Sequence, residues 1–86
     1  MKLVFTESAW EDYLWLLEND RALLKRLNAL IKDTLRTPLT GIGKPERLKG
    51  NLTGCWSRRI NTEHRLVYEV TATELVVISC RFHYEK

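Results

Sequence analysis

A chain of 86 residues is long enough for one small domain, and at this size it buries only about 60–65% of its unfolded surface. Hydrophobic residues make up 44% of the chain, enough for a core, but no run approaches the roughly 18 apolar residues of a membrane span. This length predicts a single domain over residues 1–86. Because the N-terminus has no signal-peptide pattern, we expect the protein in the cytoplasm, without membrane contact.

The net charge of +3 is unevenly distributed along the chain. Residues 1–43 contain six basic and six acidic side chains, which cancel. From Lys44 to Arg65 there are six basic residues against Glu46 and Glu63, a local charge of +4. Positive charge concentrated in this way is typical of a face that binds a polyanion.

The first elements predicted are a short strand over Lys2–Phe5 and an amphipathic helix. Ser8 stands three residues before Glu11, a spacing that predicts a capping box at the helix start. Apolar residues recur at helical spacing and predict a buried stripe, with Trp15 in or near it. This stripe consists of Trp10, Tyr13, Leu14 and Leu17.

A second helix follows almost without a break, because Asp20 is a good N-cap and Pro38 disfavours helix at the residue before it. Its apolar face is formed by Leu23, Leu24, Leu27, Leu30, Ile31 and Leu35. The two helices are therefore predicted to form a hairpin.

A loop with Gly41, Gly43 and Pro45 leads to three predicted strands, at Cys55–Ile60, His64–Thr71 and Glu74–Phe82. The connections are short enough for hairpins. The fold class expected is α+β, with the helical hairpin packed on a twisted, mainly antiparallel sheet.

Alternation along the strands predicts which side chains share a face. Leu66, Tyr68 and Val70 fall on one face of the middle strand, opposite Arg65. If the last strand continues to the end of the chain, His83 lies on the same face as Arg81, beside the strands that carry Arg59 and Arg65.

These residue types suit RNA cleavage without a metal, because the ribose 2′-hydroxyl is itself a nucleophile. Glu46 could accept its proton, His83 could protonate the leaving oxygen, and arginines could stabilise the phosphorane. The alternatives are that Glu46 pairs with Lys44 or Lys49 and that His83 is an exposed bystander. The sequence also leaves two roles open for each of two further residues. Arg58 is either solvated or bound to rRNA, and Trp56 is either a core residue or a dimer contact.

The cysteines, Cys55 and Cys80, are far apart and are predicted to be small buried side chains. A zinc site with His64 and His83 is an alternative, although structural zinc ligands usually come in close pairs. A disulfide is disfavoured in a reducing compartment. We expect no metal and no cofactor.

Four motifs occur in order at fixed separations, and together with the N-terminal strand and helical hairpin they cover essentially the whole chain. Through them the sequence resembles the YoeB/Txe toxins of the RelE-like superfamily. The motifs are Gly41-x-Gly43-Lys44-Pro45-Glu46-x-Leu48-Lys49, Trp56-Ser57-Arg58-Arg59-Ile60, His64-Arg65-Leu66-Val67-Tyr68 and Arg81-Phe82-His83-Tyr84.

The resemblance implies a RelE-like fold and an mRNA interferase that cleaves mRNA in the ribosomal A site. It implies Glu46 as general base, His83 as general acid and Arg65 at the scissile phosphate, with Tyr84 completing the catalytic set. It also implies supporting cationic contacts at Arg59 and Lys49. Lys44 and Arg58 are further candidates for RNA binding because of their charge. The implied partners are a cognate YefM-like antitoxin, the ribosome with its rRNA, and mRNA; a homodimer is left open.

The chain departs from the family pattern at two places. Glu85 and Lys86 follow the tyrosine with which such chains often end, and Arg47 stands where a second proline is common. Two other functions are left open. An RNA-binding module that blocks the ribosome without cutting would use the same charges. An interaction domain for operator control with the partner is the other, although the cationic loop and strands argue against it as the sole role.

Overall fold

The structure, a computed structural model, describes residues 1–82 and contains two helices and five strands in these residues. The elements are β1 (Lys2–Phe5), α1 (Glu7–Asn19), α2 (Arg21–Arg36), β2 (Glu46–Arg47), a 3₁₀ turn (Gly50–Leu52), β3 (Trp56–Arg59), β4 (Arg65–Val70) and β5 (Glu74–Ser79).

The strands form one sheet in the order β1-β5-β4-β3-β2. The pairs β2–β3, β3–β4 and β4–β5 are antiparallel, while β1 runs parallel to β5. The prediction of an α+β fold with a helical hairpin on a mainly antiparallel sheet is confirmed. In the parallel pair Lys2 lies beside Glu74 and Phe5 beside Val77. Because a parallel partner cannot be reached through a tight turn, the helices and the other strands come between β1 and β5 in the chain.

The β2 strand was predicted as loop, and it is only two residues long. Glu46 pairs with Ser57 and Arg47 pairs with Trp56 at the edge of the sheet. Two residues are too few for an alternation pattern, so only the pairing with β3 reveals this strand.

The helix boundaries confirm one predicted cap and correct the other. Asp20 caps α2 through a hydrogen bond from the Leu23 amide to its carboxylate, at 3.1 Å. The cap of α1 is Thr6, not Ser8: its hydroxyl accepts from the Ala9 amide at 3.1 Å. The same hydroxyl donates to the Ile78 carbonyl, so it joins the helix start to β5.

The buried face of α1 differs from the predicted stripe. Ala9 and Leu16 are fully buried, whereas Trp10 is 48% exposed and Trp15 is 39% exposed. The expectation that both tryptophans are core residues is therefore wrong. Periodicity specifies a stripe on a helix, but packing against β5 decides which part of the stripe is covered.

The core lies between the helices and one face of the sheet. As predicted, Leu66 and Tyr68 face it and are completely buried, and Val70 packs at its margin. The other side chains fully buried there include Leu16, Leu27, Leu30, Leu75 and Val77. None of the helices within residues 1–82 is long and apolar enough to cross a bilayer.

The last strand ends earlier than predicted, at Ser79 and not at Phe82. A register shift between β4 and β5 at Val67 and Tyr68 precedes this end. Arg81 consequently lies on the helix side, with its guanidinium 3.7 Å from the ring centre of Trp15. The predicted alternation that placed Arg81 beside the arginine strands is therefore wrong.

Candidate functional site

The open face of the sheet, on the side away from the helices, brings together residues from three strands. Glu46 is opposite Ser57 in the β2–β3 pair, and Arg59 is opposite Arg65 in the β3–β4 pair. Ser57 and Arg59 are two positions apart on β3 and share a face. The register thus gathers Glu46, Arg59 and Arg65 on one surface, which we call the cationic face. From strand spacing and rise, the Cα atoms of Glu46 and Arg65 are about 12 Å apart.

Two arginines face each other directly on the cationic face. Like charges opposite each other in a sheet destabilise it by up to about 1 kcal/mol. Arg65 is held in place because its Nη1 donates to the carbonyls of Asn61, at 2.9 Å, and of His64, at 3.3 Å. Arg59 is exposed. A pair of facing guanidiniums that lowers stability is typical of an anion-binding site.

Arg58 lies on the opposite face of β3 and is completely buried. Its guanidinium uses all five N–H groups inside the protein, so Arg58 is not available for the predicted contact with RNA. Its ion-pair partner is the Asp33 carboxylate at 2.8 Å. The five acceptors are Asp33 Oδ2, the Tyr68 hydroxyl and the carbonyls of Thr37, Thr40 and Ile42.

This buried network holds the loop that leads to Glu46. The Ile42 amide donates to Asp33 at 3.0 Å, and the Arg59 amide donates to the Gly43 carbonyl at 2.7 Å. The Ile42 hydrogen bond, followed by those from Arg36 and Arg58, lowers the pKa of Asp33 from 3.8 to about 2. The carboxylate therefore stays ionised and keeps the loop attached to α2 and β3 at ordinary pH.

The loop presents its charges to solvent. Lys44 has a left-handed backbone with φ of 53°, and Lys49 precedes the 3₁₀ turn; both are exposed. Within residues 1–82, neither lysine lies within 4 Å of the Glu46 carboxylate, so the alternative that Glu46 is one half of a local ion pair is not observed.

A shallow depression of ≈ 330 Å³ is lined by Glu46, Arg47, Leu48 and Lys49. A larger groove of ≈ 540 Å³ lies elsewhere, between α2 and Ile42, and is lined by none of the predicted site residues. The smaller depression is therefore the one that belongs to the candidate site, even though it is not the larger of the two.

Trp56 lies at the margin of the core. It is partly buried against the core cluster, and the Arg47 guanidinium lies 5.5 Å from its ring centre. Arg47, which stands where a second proline is common in the resembling family, thus covers an aromatic ring beside Glu46. This cation–π contact is one source of order for β2.

The chain approaches the cationic face again at Phe82. The Arg65 amide donates to the Phe82 carbonyl at 3.1 Å, and the Phe82 amide donates to His64 Nδ1 at 2.6 Å. Phe82 has φ of 58°, a left-handed conformation that costs a non-glycine residue about 1–2 kcal/mol. His83 and Tyr84, the remaining predicted catalytic residues, lie outside the described part of the chain.

Both cysteines are free thiols. Cys80 is fully buried, as predicted, and burial raises the pKa of its thiol to about 12, with a further contribution from the Asp12 carboxylate. Cys55 is half-buried, and burial also raises the pKa of its thiol. Over residues 1–82 no three His, Cys, Asp or Glu side chains are grouped as a metal site would require.

Comparison with known proteins decides the family. The sequence model of one protein family, the YoeB-like toxin of bacterial type II toxin–antitoxin systems, matches residues 5–84. The chain belongs to the YoeB-like toxins. It is 62% identical to Toxin YoeB of Synechocystis over 86 residues, which cover all of both chains. It is 57% identical to Toxin YoeB of Escherichia coli K12 over 84 residues, covering 98% of this chain and all of the other.

Solved structures of YoeB-like toxins have the same fold. The YoeB/ParE toxin from Agrobacterium tumefaciens superposes with a TM-score of 0.94 at 51% identity, over 98% of this chain and 100% of that one. The toxin in a heterotetrameric YoeB–YefM complex from Staphylococcus aureus gives 0.89 at 48% identity, over 98% of both chains. The family and the RelE-like architecture of this YoeB-like toxin, both expected from its motifs, are confirmed.

Three residues that shape the site were not selected from the sequence: Asp33, Tyr68 and His64. Tyr68 is in an apolar strand, so nothing local distinguishes it from an ordinary core aromatic residue. A signal existed for Asp33, because it is the acid nearest the end of α2 and the adjacent loop offers unpaired backbone groups.

Proposed function

We propose that this YoeB-like toxin is a ribosome-dependent endoribonuclease that cleaves mRNA in the A site without a metal. The observation that supports the proposal is the register of β2, β3 and β4, which brings one carboxylate and two guanidiniums to the same face of the sheet; Glu46 and Arg59 are exposed there and Arg65 is partly exposed. Glu46 would take the proton of the 2′-hydroxyl, whose oxygen attacks the adjacent phosphorus while the 5′-oxygen departs.

Arg65 would neutralise the charge that develops on the non-bridging oxygens. Its two carbonyl acceptors fix the guanidinium in advance, so little reorganisation is needed in the transition state. His83 would protonate the departing 5′-oxygen, and Tyr84 would stack on a base or bond the RNA backbone. This assignment is supported by Phe82, the residue before His83, whose carbonyl is bonded to the Arg65 amide.

Lys44, Lys49 and Arg59 would bind RNA phosphates outside the reacting centre. All three are exposed, and two of them flank Glu46 in the chain. Because Arg58 is neutralised by Asp33 inside the protein, the charge available to RNA between Lys44 and Arg65 comes from five cations and not six. Contacts of this kind strengthen binding to any sequence and weaken as salt rises.

The partner that silences the toxin is proposed to be a YefM-like antitoxin with an acidic segment that covers the cationic face. The support is charge: a flexible acidic tail is attracted to Lys44, Lys49, Arg59 and Arg65 and can fold as it binds. A homodimer is proposed by analogy with the solved YoeB dimer of Staphylococcus aureus, which gives a TM-score of 0.91 at 48% identity. A bacterial cytoplasm would supply ribosomes, mRNA and antitoxin together.

The test is in vitro translation followed by primer extension on the mRNA. A discrete new 5′ end is expected, with a 2′,3′-cyclic or 3′-phosphate on the upstream fragment and no inhibition by EDTA at levels that preserve ribosomes. One 2′-deoxynucleotide at the cut site should abolish cleavage, and cleavage that persists on that substrate would refute the mechanism. A stall without a new end would favour the non-cleaving blocker.

Variants separate the proposed roles. His83→Gln should slow the chemical step by about 10² or more while ribosome binding is retained. Arg65→Met, which keeps the chain length of the side chain, should slow it by about 10²–10³. Lys49→Ala should weaken binding mainly, with a shallower salt dependence, and Lys25→Ala on the exposed side of α2 is the matched control.

A further inference from the structure

The imidazole of His64 has no role in the proposed chemistry, yet it is almost fully buried beside Arg65 in the chain. Its exposed fraction is 7%. The ring lies at the start of β4, directly before Arg65, and its centre is 5.2 Å from that of the Phe82 ring. A buried polar ring needs hydrogen-bond partners, and the partner on its Nδ1 is the backbone of Phe82.

The direction of this hydrogen bond determines the tautomer of His64. The Phe82 amide is the donor, at 2.6 Å, so Nδ1 must carry a lone pair and the ring proton must be on Nε2. The Nε2 atom faces the Glu63 carboxylate at 3.6 Å, an environment that suits an N–H group. His64 is therefore neutral and oriented, and its Nδ1 is occupied as an acceptor.

A second hydrogen bond also holds the Phe82 backbone. The Arg65 amide donates to the Phe82 carbonyl at 3.1 Å, so both backbone polar groups of Phe82 are bound by consecutive residues of the β4 start. Asn61 orders this start in turn, because its side-chain oxygen accepts from the His64 amide at 2.7 Å. The left-handed backbone of Phe82 is thus held by an ordered anchor and not by its own preference.

We propose that His64 is a positioning residue for cleavage: its neutral Nδ1 fixes the backbone from which the catalytic residues His83 and Tyr84 extend. This inference rests on the proposed function, since it assigns His64 an effect on groups that act there. Displacement of a catalytic group by about 1 Å can cost about 10² in rate, so a single backbone anchor next to that group matters.

The chemistry of the acceptor suggests a matched set of variants. In asparagine the side-chain oxygen is bonded to Cγ, as Nδ1 is in histidine, so His64→Asn keeps an acceptor near the same place. Glutamine extends by one further carbon and carries its polar atoms near the Nε2 position. His64→Gln therefore keeps polarity and size but loses the acceptor for Phe82, and His64→Ala removes the ring altogether.

The experiment measures cleavage by the full-length toxin on programmed ribosomes for these three variants. We expect His64→Asn to retain kcat within about threefold of the wild type, while His64→Gln and His64→Ala lose about tenfold or more in kcat with KM unchanged. A purely structural role would lower the stability of Asn and Gln variants alike and would not separate their kcat values. Equal loss in Asn and Gln, or no loss in any variant, overturns the proposal.

A second readout does not depend on cleavage. Nitrogen-15 NMR of the wild-type toxin should show His64 with its proton on Nε2, and the Phe82 amide should be shifted downfield and protected from exchange. Protection should persist in His64→Asn and disappear in His64→Gln. If the wild type does not cut RNA, the proposed function fails while this readout still decides the anchor; a His64 ring protonated on Nδ1, or an unprotected Phe82 amide, overturns it.

Discussion

Replacing Arg58 with methionine should be the most destabilising single change among the arginines of this toxin. Methionine keeps an unbranched side chain of similar reach but removes all five N–H donors of the guanidinium. The Asp33 carboxylate and the Tyr68 hydroxyl would lose a partner, as would carbonyls in the loop after α2. Removing one partner of a buried ion pair costs about 3–5 kcal/mol. Asp33 keeps its ion pair with Arg36, at 2.6 Å, so we expect a loss near the lower end of this range, about 3 kcal/mol.

That loss is large against the total. A domain of this size has a free energy of unfolding of about 5–15 kcal/mol. If the wild type lies near the lower end of this range, the variant should keep half of its free energy of unfolding or less. With a urea m-value of about 1.5–2 kcal/mol/M, the midpoint of unfolding should fall by about 2 M. The melting temperature should fall by about 12 °C or more.

Arg59→Met is the control, since it lies next in the chain but points to solvent. Its stability should stay within about 0.5 kcal/mol of the wild type or rise slightly, because it removes the like-charge pair with Arg65. Urea titrations of both variants, followed by far-UV circular dichroism, make the comparison. Midpoints for Arg58→Met and Arg59→Met that agree within error would show that the buried network does not stabilise the fold.

Other substitutions test the loop and the helix start. The pKa of Asp33 is lower in the folded state, so its ionised form stabilises the fold above pH 4, and this contribution is lost as the pH falls to about 2. The difference in free energy of unfolding between the wild type and Asp33→Asn should therefore narrow between these pH values in acid titrations. Gly43 and Gly54 both have positive φ, but only at Gly43 would an added Cβ lie against Leu30, at 2.7 Å. Gly43→Ala should therefore lower the melting temperature more than Gly54→Ala, and equal effects would contradict this. Asp20→Ala should cost about 1 kcal/mol in the same assay, and an unchanged melting temperature would show that the cap is dispensable.

Elements with strong local signals could be predicted from the residues alone. Asp20 and Pro38 marked the ends of α2, and alternation in Arg65–Val70 separated the core face from the open face, because caps and strand pleats are properties of short segments. The family motifs likewise named Glu46 and Arg65, and the register of three strands placed both residues on one face.

Tertiary structure decided what depends on neighbours distant in the chain. Arg58 and Arg59 are adjacent and chemically identical, yet one is buried on Asp33 and the other faces solvent. Strand alternation shows only that they differ; which face is covered follows from where α2 and its loop pack. In the same way, the hydrogen bond from the Phe82 amide to His64 joins residues 18 positions apart, beyond the end of β5 at Ser79, and no local pattern of residues specifies it.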